Sequence, residues 1–350
     1  VPSREPSWWY SAQTSLAARS LAPAAWIFAT FARRRLLRAP LYRSTLPVVC
    51  IGNFTAGGTG KTPLALSLAA ALRQRGHAPA FLTRGYGADV SVPTLADPAR
   101  HTARDVGDEA LLLARAGAVM VSADRVAGAR AIEDLQPAAD VILMDDGLQN
   151  PGLAKDLTIA VVDGARLFGN GRVIPAGPLR APLGVQVQRT DLVVVNGTPQ
   201  ERDAVARRLA SEGYTGPVAV ARAEPAEELS WLAGRSVLAY AGIGNPDRFY
   251  RLIERLGGRL AATRTFADHH AYTAADCAAL LAAADELGAE LVTTEKDLVR
   301  LRDESPDHAR LRRQSRTLPI TLRFDDDADE AIVTRIAALI EARRPHRAPP

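Results

Sequence analysis

The chain has 350 residues, 47% of them hydrophobic and 23% charged, a balance that excludes a disordered protein and, at this length, makes two domains the default. A formal net charge of +4 suits an anionic partner without choosing among nucleotide, lipid and nucleic acid. The two cysteines, Cys50 and Cys277, form no CxxC pair, which points to a reducing compartment and argues against structural zinc.

The segment 1–43 stands apart from the rest. Trp8, Trp9 and Tyr10 precede an apolar run over 21–31 carrying Trp26, Ile27 and Phe28, and then come Arg33, Arg34, Arg35, Arg38 and Arg43. The run is shorter than the ~20 apolar residues that span a bilayer. A secretory signal would carry its positive cluster before the apolar stretch, and here the cluster follows it. The expectation is an amphipathic helix lying in a membrane surface, aromatic rings at headgroup level and arginines against anionic lipid. The alternative is a helix packed on the protein's own core with a solvated basic end.

From residue 46 onward short β-rich runs alternate with helical segments, the pattern of a parallel sheet covered by helices. A run over 46–51 leads into Thr55-Ala56-Gly57-Gly58-Thr59-Gly60-Lys61-Thr62, and an alanine- and leucine-rich segment over 63–75 follows. Strand, glycine loop and helix in that order are the context a phosphate-binding loop requires. Gly57, Gly58 and Gly60 let backbone N–H groups turn inward at a helix start, which makes an anion cradle. Lys61 is then placed to reach the β- and γ-phosphates of a nucleotide, and Thr62 to set its hydroxyl on Mg²⁺. The strict pattern has a glycine where Thr55 stands.

Further along, a run over 80–83 ends in Arg84-Gly85-Tyr86-Gly87, a loop over 88–106 leads to Gly107-Asp108-Glu109 and a helix, and a strand over 119–122 precedes a helix over 125–135. Four apolar residues then run into Asp145 and Asp146. An aspartate at a strand's carboxyl end is the usual partner of a phosphate loop, and either of the two could hold Mg²⁺ directly or through water. Strands over 157–163 and 191–196 flank a glycine- and proline-rich loop carrying Arg172 and Arg180. Arg180 reads equally well as a bidentate phosphate ligand or as a solvated arginine.

The polar stretch 223–228 reads as a domain boundary, giving a phosphate-loop domain over 44–225 and a smaller α/β domain over 226–350. In the latter, strands are expected near 236–241, 259–265, 290–294 and 318–323, with helices ending near 256 and spanning 274–287 and 327–343. Gly242-x-Gly244 lacks the third glycine of a dinucleotide fingerprint. Asp268-His269-His270 offers too few ligands for zinc and reads as a catalytic or orienting histidine beside a carboxylate. The charged run over 293–297 reads either as plain surface or as a face turned to the nucleotide.

Seven islands resemble one family together: residues 52–63, Arg84-Gly85-Tyr86-Gly87, Gly107-Asp108-Glu109, Asp145-Asp146-Gly147-Leu148-Gln149, the loop ending at Arg180, Asp268-His269, and Thr294-Glu295-Lys296-Asp297. The chain resembles the tetraacyldisaccharide 4′-kinases, the lipid A kinases of Gram-negative bacteria, over nearly its whole length. The resemblance implies an α/β fold: a P-loop NTPase-type parallel-sheet domain, a second smaller α/β domain and an N-terminal amphipathic helix. It implies transfer of the ATP γ-phosphate to the 4′-hydroxyl of a tetraacyldisaccharide 1-phosphate at the cytoplasmic face of the inner membrane, with ATP and Mg²⁺ as cofactors and no nucleic-acid partner. By the same resemblance Asp108 would accept the hydroxyl proton, paired to His269. Asp145, Asp146 and Thr62 would hold Mg²⁺, Lys61 and Arg180 would manage phosphate charge, and Tyr86, Glu109, Gln149 and Arg172 would contact substrate. Members of the family usually have a histidine after the glutamine of the fourth island, where this chain has Asn150. Rival readings are a small-molecule P-loop kinase or ligase of the dethiobiotin synthetase type, which gives the N-terminal segment no role, and a membrane-recruited nucleotide switch. One group of such switches carries a lysine where Ala56 stands.

Overall fold

The computed structural model describes residues 5–11, 15–301 and 305–343; residues 1–4, 12–14, 302–304 and 344–350 lie outside the described residues, and with them the outer ends of the expected units 1–43 and 226–350. The described strands are β1 (Val48–Gly52), β2 (Pro79–Thr83), β3 (Thr94–Leu95), β4 (Val119–Val121), β5 (Val141–Asp145), β6 (Leu157–Asp163), β7 (Leu192–Asn196), β8 (Val218–Pro225), β9 (Ser236–Ala241), β10 (Arg259–Thr265), β11 (Glu290–Thr293), β12 (Ser315–Thr317) and β13 (Ile320–Phe324). The helices are α1 (Leu16–Ser20), α2 (Ala22–Leu36), α3 (Lys61–Gln74), α4 (Ala103–Val106), α5 (Asp108–Leu113), α6 (Arg125–Glu133), α7 (Leu183–Val187), α8 (Pro199–Ala210), α9 (Pro246–Arg255), α10 (Ala274–Leu287), α11 (Glu295–Arg300), α12 (Pro306–Gln314) and α13 (Ala328–Arg343).

Nine strands form one sheet in the order β13-β8-β7-β6-β1-β5-β2-β4-β3. Neighbours from β8 to β4 are parallel, whereas the two outer pairs, β3 with β4 and β13 with β8, are antiparallel. Strands β1, β2, β4, β5, β6 and β7 are buried along their whole length, as a parallel sheet covered on both faces requires. Alternation along β1 sends Val49 and Ile51 to one face, against Leu64, Leu68 and Leu72 of α3 and Ile332, Ile336 and Ile340 of α13. Val48 faces the other way, toward Ala129 and Ile132 of α6. A second, wholly parallel sheet has the order β10-β9-β11-β12.

Three features depart from the sequence expectations. The stretch 88–106 is not all loop, since β3 pairs with the edge of the sheet and α4 is closed by a capping box between Thr102 and Asp105. The boundary read at 223–228 begins inside β8, whose outer residues are half-exposed and polar and therefore lack an apolar run. The last strand, β13, pairs with β8, and α13 packs on α3, so both complete the large sheet and not the small one. Only their partners, distant in sequence, assign them there.

The N-terminal helix α2 packs on the body through a narrow face. Ala25 and Leu36 are buried, while Trp26, Ile27, Phe28 and Phe31 are exposed. Ahead of it, Trp9 is buried and its indole N–H donates to the Pro175 carbonyl at 3.2 Å. Among the described residues no helix is long and apolar enough to cross a membrane.

Candidate active site

Ligands of open α/β sheets bind where the strands end, and the carboxyl ends of β1, β5, β6 and β7 open here into a cavity of about 1260 Å³. The phosphate loop forms its floor. Gly60 precedes α3 with φ +102° and Gly57 has φ +94°, left-handed conformations that favour glycine. An added β-carbon would meet Asn196 Nδ2 at Gly60, and a carboxylate oxygen of Glu5 at Gly57. Thr55 lies at no such angle and bridges Leu179, which is why this place does without a glycine. Lys61 and Thr62 are both buried at the start of α3. The proline-rich loop braces the cradle from above: Ala56 N–H donates to the Pro178 carbonyl at 2.8 Å, and Arg180 Nε to the Thr55 carbonyl at 3.0 Å. From the far side Asn196 Nδ2 donates to the Thr59 carbonyl at 3.1 Å.

The two aspartates that end β5 have opposite environments. Asp146 sits at φ +48° and receives Arg180 NH1 at 2.7 and 2.8 Å, with Lys61 Nζ at 3.8 Å. Burial alone would raise its proton affinity, but the charges of Arg180 and Lys61 hold the carboxyl well below the usual carboxylate range. Asp145 is fully buried, and among the described residues neither of its carboxylate oxygens has a hydrogen-bond partner. Burial first, and then the charge of Glu109, push its proton affinity up. A buried carboxylate left so bare is a costly arrangement unless a cation completes it.

Across the cavity mouth the two sheets meet at Asp108, the first residue of α5. Its Oδ2 lies 3.1 Å from His269 Nδ1 and 2.9 Å from Arg300 Nε, with Arg300 NH2 closer still, while Oδ1 accepts from Glu109 N–H at 2.9 Å. Burial would raise this carboxyl's proton affinity, but the His269 hydrogen bond and the charges of Arg300 and Lys296 outweigh it and hold it far below the ordinary value. The imidazole moves the other way, its proton affinity raised chiefly by the same hydrogen bond. One turn before Arg300, Lys296 bridges Glu109 at 2.7 Å.

A folded-state shift downward stabilises the native form above the unfolded carboxyl value of about 4, and that contribution is lost as pH falls below it. The unfolding temperature is therefore expected to drop as pH falls through that window. In Asp108→Asn the fall should be shallower, which a pH series of thermal melts would check.

Most of the residues singled out in the sequence converge. The loop 56–62, Tyr86, Glu109, Asp146, Gln149, Arg180 and His269 all line the cavity. Tyr86 is exposed, with its ring 5.2 Å from the His269 ring. Asp108 stands behind His269 and is not itself part of the lining. Gln149 spends its amide as a brace, donating to the Asn53 carbonyl and to Gln186 Oε1 at 2.8 Å each. Asn150 accepts from Gly152 N–H at 2.9 Å, within its own turn. Arg172 does not line the cavity, because the loop closes on itself there and the Arg172 carbonyl accepts from Leu179 N–H at 3.0 Å. The run 293–297 is not plain surface: Lys296 lines the cavity and Asp297 is fully buried. Gly242-x-Gly244 lies against the phosphate loop, where a β-carbon added at Gly244 would come within 3.2 Å of the backbone nitrogen of Gly58.

Sequence reasoning passed over Arg300, Asn196, Arg248 and the pair Glu5–Arg166. Arg166 NH1 donates to Glu5 Oε2 at 2.7 Å, and Arg248 NH1 lies 3.6 Å from Asp163 Oδ2. For Arg300 a local signal existed, since it follows Asp297 by one helical turn. The others are joined only by the tertiary fold.

The model of the family described as tetraacyldisaccharide-1-P 4′-kinase matches residues 17–337. A tetraacyldisaccharide 4′-kinase of Methylobacterium nodulans is 47% identical over 338 residues, covering 96% of this chain and 96% of that relative. One of Rhodopseudomonas palustris is 47% identical over 345 residues, 98% of each. The crystal structure of LpxK from Aquifex aeolicus in complex with ATP matches with a TM-score of 0.69 at 24% identity, over 93% of this chain and 100% of that one, and so shares the fold. On these matches the chain belongs to the tetraacyldisaccharide 4′-kinase family of enzymes.

Proposed function

We propose that the protein transfers the γ-phosphoryl group of ATP to the 4′-hydroxyl of a tetraacyldisaccharide 1-phosphate, working from the cytoplasmic surface of a bacterial inner membrane. The observation that carries this reading is one cavity with two chemically different linings. The phosphate loop lines it together with Phe28 and Phe31 of α2, the helix on which Trp26 and Ile27 are also exposed. A phosphorylated, acylated sugar needs both.

In this reading the amides of residues 56–60 and the start of α3 hold the β- and γ-phosphates, and Lys61 adds its charge to them. Asp145 and Asp146, with the Thr62 hydroxyl, are the donors for Mg²⁺, and the bare oxygens of Asp145 are what such a hard cation would satisfy. Bound Mg²⁺ would neutralise charge on the phosphate oxygens. Arg180, now on Asp146, sits where it can follow charge onto the transferred group. Tyr86, Glu109 and Gln149 border the acceptor. The hydroxyl oxygen forms the new bond to phosphorus as the bond to the β-phosphate oxygen breaks; ADP leaves with that electron pair, and the hydroxyl proton passes to the Asp108–His269 pair. Phosphoryl transfer asks for positioning and charge neutralisation more than covalent help, so this set suffices.

Replacing Asp145 by asparagine removes a carboxyl whose charged form burial disfavours. Without Mg²⁺ the variant is expected to melt at or above the wild-type temperature, and it should lose the added thermal stability that Mg·ATP confers. A calorimetric comparison with and without Mg·ATP checks both halves.

The reading is tested by ATP turnover with and without the acylated disaccharide phosphate in mixed micelles. Turnover that requires the lipid is expected. Equal turnover in its absence would favour a nucleotide switch, and a requirement for a small soluble acceptor would favour a ligase or kinase of another class.

A further inference from the structure

Arg300 is buried to the same degree as the carboxylate it holds, each side chain being 5% exposed, and nothing in the transfer chemistry above uses it. Its guanidinium makes four hydrogen bonds to three residues. Nε and NH2 both reach Asp108 Oδ2, the former at 2.9 Å, and NH1 donates to the Gly242 carbonyl at 2.7 Å and to Asp297 Oδ1 at 2.9 Å. The same Gly242 carbonyl accepts the backbone N–H of His269 at 3.1 Å. His269 itself sits at φ +58°, a conformation that a residue with a β-carbon holds only when its surroundings fix it. One planar fork thus grips the side chain of Asp108 on the large sheet and the carbonyl that pins the His269 turn on the small one.

The fork is held from behind. Asp297 is fully buried and takes Tyr272 O–H at 2.9 Å and Gly242 N–H at 3.0 Å on Oδ1, and Thr294 O–H at 2.6 Å on Oδ2. With NH1 held by Asp297 Oδ1 and the Gly242 carbonyl, the guanidinium presents Nε and NH2 to Asp108. A lysine could supply the charge but not the two-sided geometry.

We propose that Arg300 is a positioning residue for phosphoryl transfer: it ties Asp108 and the His269 turn to one guanidinium and so sets their mutual aim when the two sheets are together. The inference rests on the proposed proton-accepting role of the Asp108–His269 pair. The charged and titratable groups facing that pair are Arg300 and Lys296 from α11, Asp268 from the turn after β10, Glu109 from α5 and Tyr86 from the loop after β2. Among them Arg300 is the cation in direct contact with Asp108. Removing its charge raises the proton affinity of both members of the pair, whichever of them takes the proton.

The test is a set of full-length variants, Arg300→Met, Arg300→Lys and Asp297→Asn, assayed for lipid phosphorylation across pH. Arg300→Met is expected to lower kcat by about 10²-fold at neutral pH, the scale of a misaligned pair, with the KM for ATP nearly unchanged. The acid limb of its kcat profile should move up by about one unit or more. Arg300→Lys keeps the charge, so its acid limb should stay at the wild-type position while kcat recovers in part. Asp297→Asn should lower kcat in the same sense without touching Asp108. A wild-type rate in Arg300→Lys and in Arg300→Met overturns the proposal, and so does a rate loss in Arg300→Met with an unmoved acid limb. Should Arg300→Met fail to fold, the partial rate and unmoved limb of Arg300→Lys decide the matter alone. Failure of the kinase reading itself would look different, because wild-type protein would then transfer no phosphate to the lipid in the same assay.

Discussion

Replacing Asp108 with alanine is expected to lower the turnover of lipid phosphorylation by about 10²–10⁴-fold, the range a positioned proton acceptor contributes, and to leave ATP affinity within a few-fold. The separation follows from placement. Asp108 bonds to His269, Arg300 and the Glu109 backbone, and among the described residues no hydrogen bond or ion pair joins it to the loop that holds phosphate. Its loss would leave Arg300 buried without its main partner, which for a broken buried pair costs roughly 3–5 kcal/mol. Asp108→Asn, which keeps the shape and one acceptor oxygen, isolates the chemical effect from that cost. Nucleotide binding measured by calorimetry alongside single-turnover kinetics checks the split. Near-normal turnover in the asparagine variant would take Asp108 out of the mechanism.

The second large effect concerns the exposed helix. Trp26, Ile27 and Phe31 are 72%, 51% and 66% exposed, so changing all three to serine removes almost nothing from the core. Full burial of each such side chain is worth about 1.5–3 kcal/mol; even half of that, summed over three, weakens partition into a lipid surface by about 40-fold or more. The triple variant is therefore expected to leave vesicles of anionic phospholipid in a sedimentation assay while melting at the wild-type temperature. Deleting the segment outright would be a poorer experiment, since Trp9, Ala18 and Leu36 are buried against the body. Undiminished co-sedimentation of the serine variant would return α2 to the alternative of a helix serving only the protein's own packing.

How much of this was legible in the sequence depends on how local the cause is. The phosphate loop could be read directly, because strand, glycines, lysine and helix are contiguous and their chemistry needs no distant partner. The aspartates at the end of β5 were legible for the same reason, but their contrast was not: only Arg180, from a loop over thirty residues on, makes Asp146 a paired carboxylate and leaves Asp145 bare. The outer strands were harder. β8 carries Arg222 and Glu224 on a half-exposed surface, and its identity as a strand depends on β7 and β13 beside it. Arg172 looked like a site residue because it shares a loop with Arg180, yet the turn that aims Arg180 at Asp146 keeps Arg172 off the cavity lining. Arg300 went unread although its spacing from Asp297 was in view, since that spacing marks a helical ion pair and only the fold brings Asp108 to it. The apolar character of α2 was plain from composition. Which of its side chains turn inward, Ala25 and Leu36, is set by the body they pack on.

The most direct test of the account is the fate of the γ-phosphorus itself. Purified protein is incubated with Mg²⁺, γ-labelled ATP and tetraacyldisaccharide 1-phosphate in detergent, and the lipid product is analysed by mass spectrometry and ³¹P NMR. The account predicts one new phosphomonoester on the 4′-oxygen for each ADP formed. Label released as inorganic phosphate, or attached at any other hydroxyl, would contradict it.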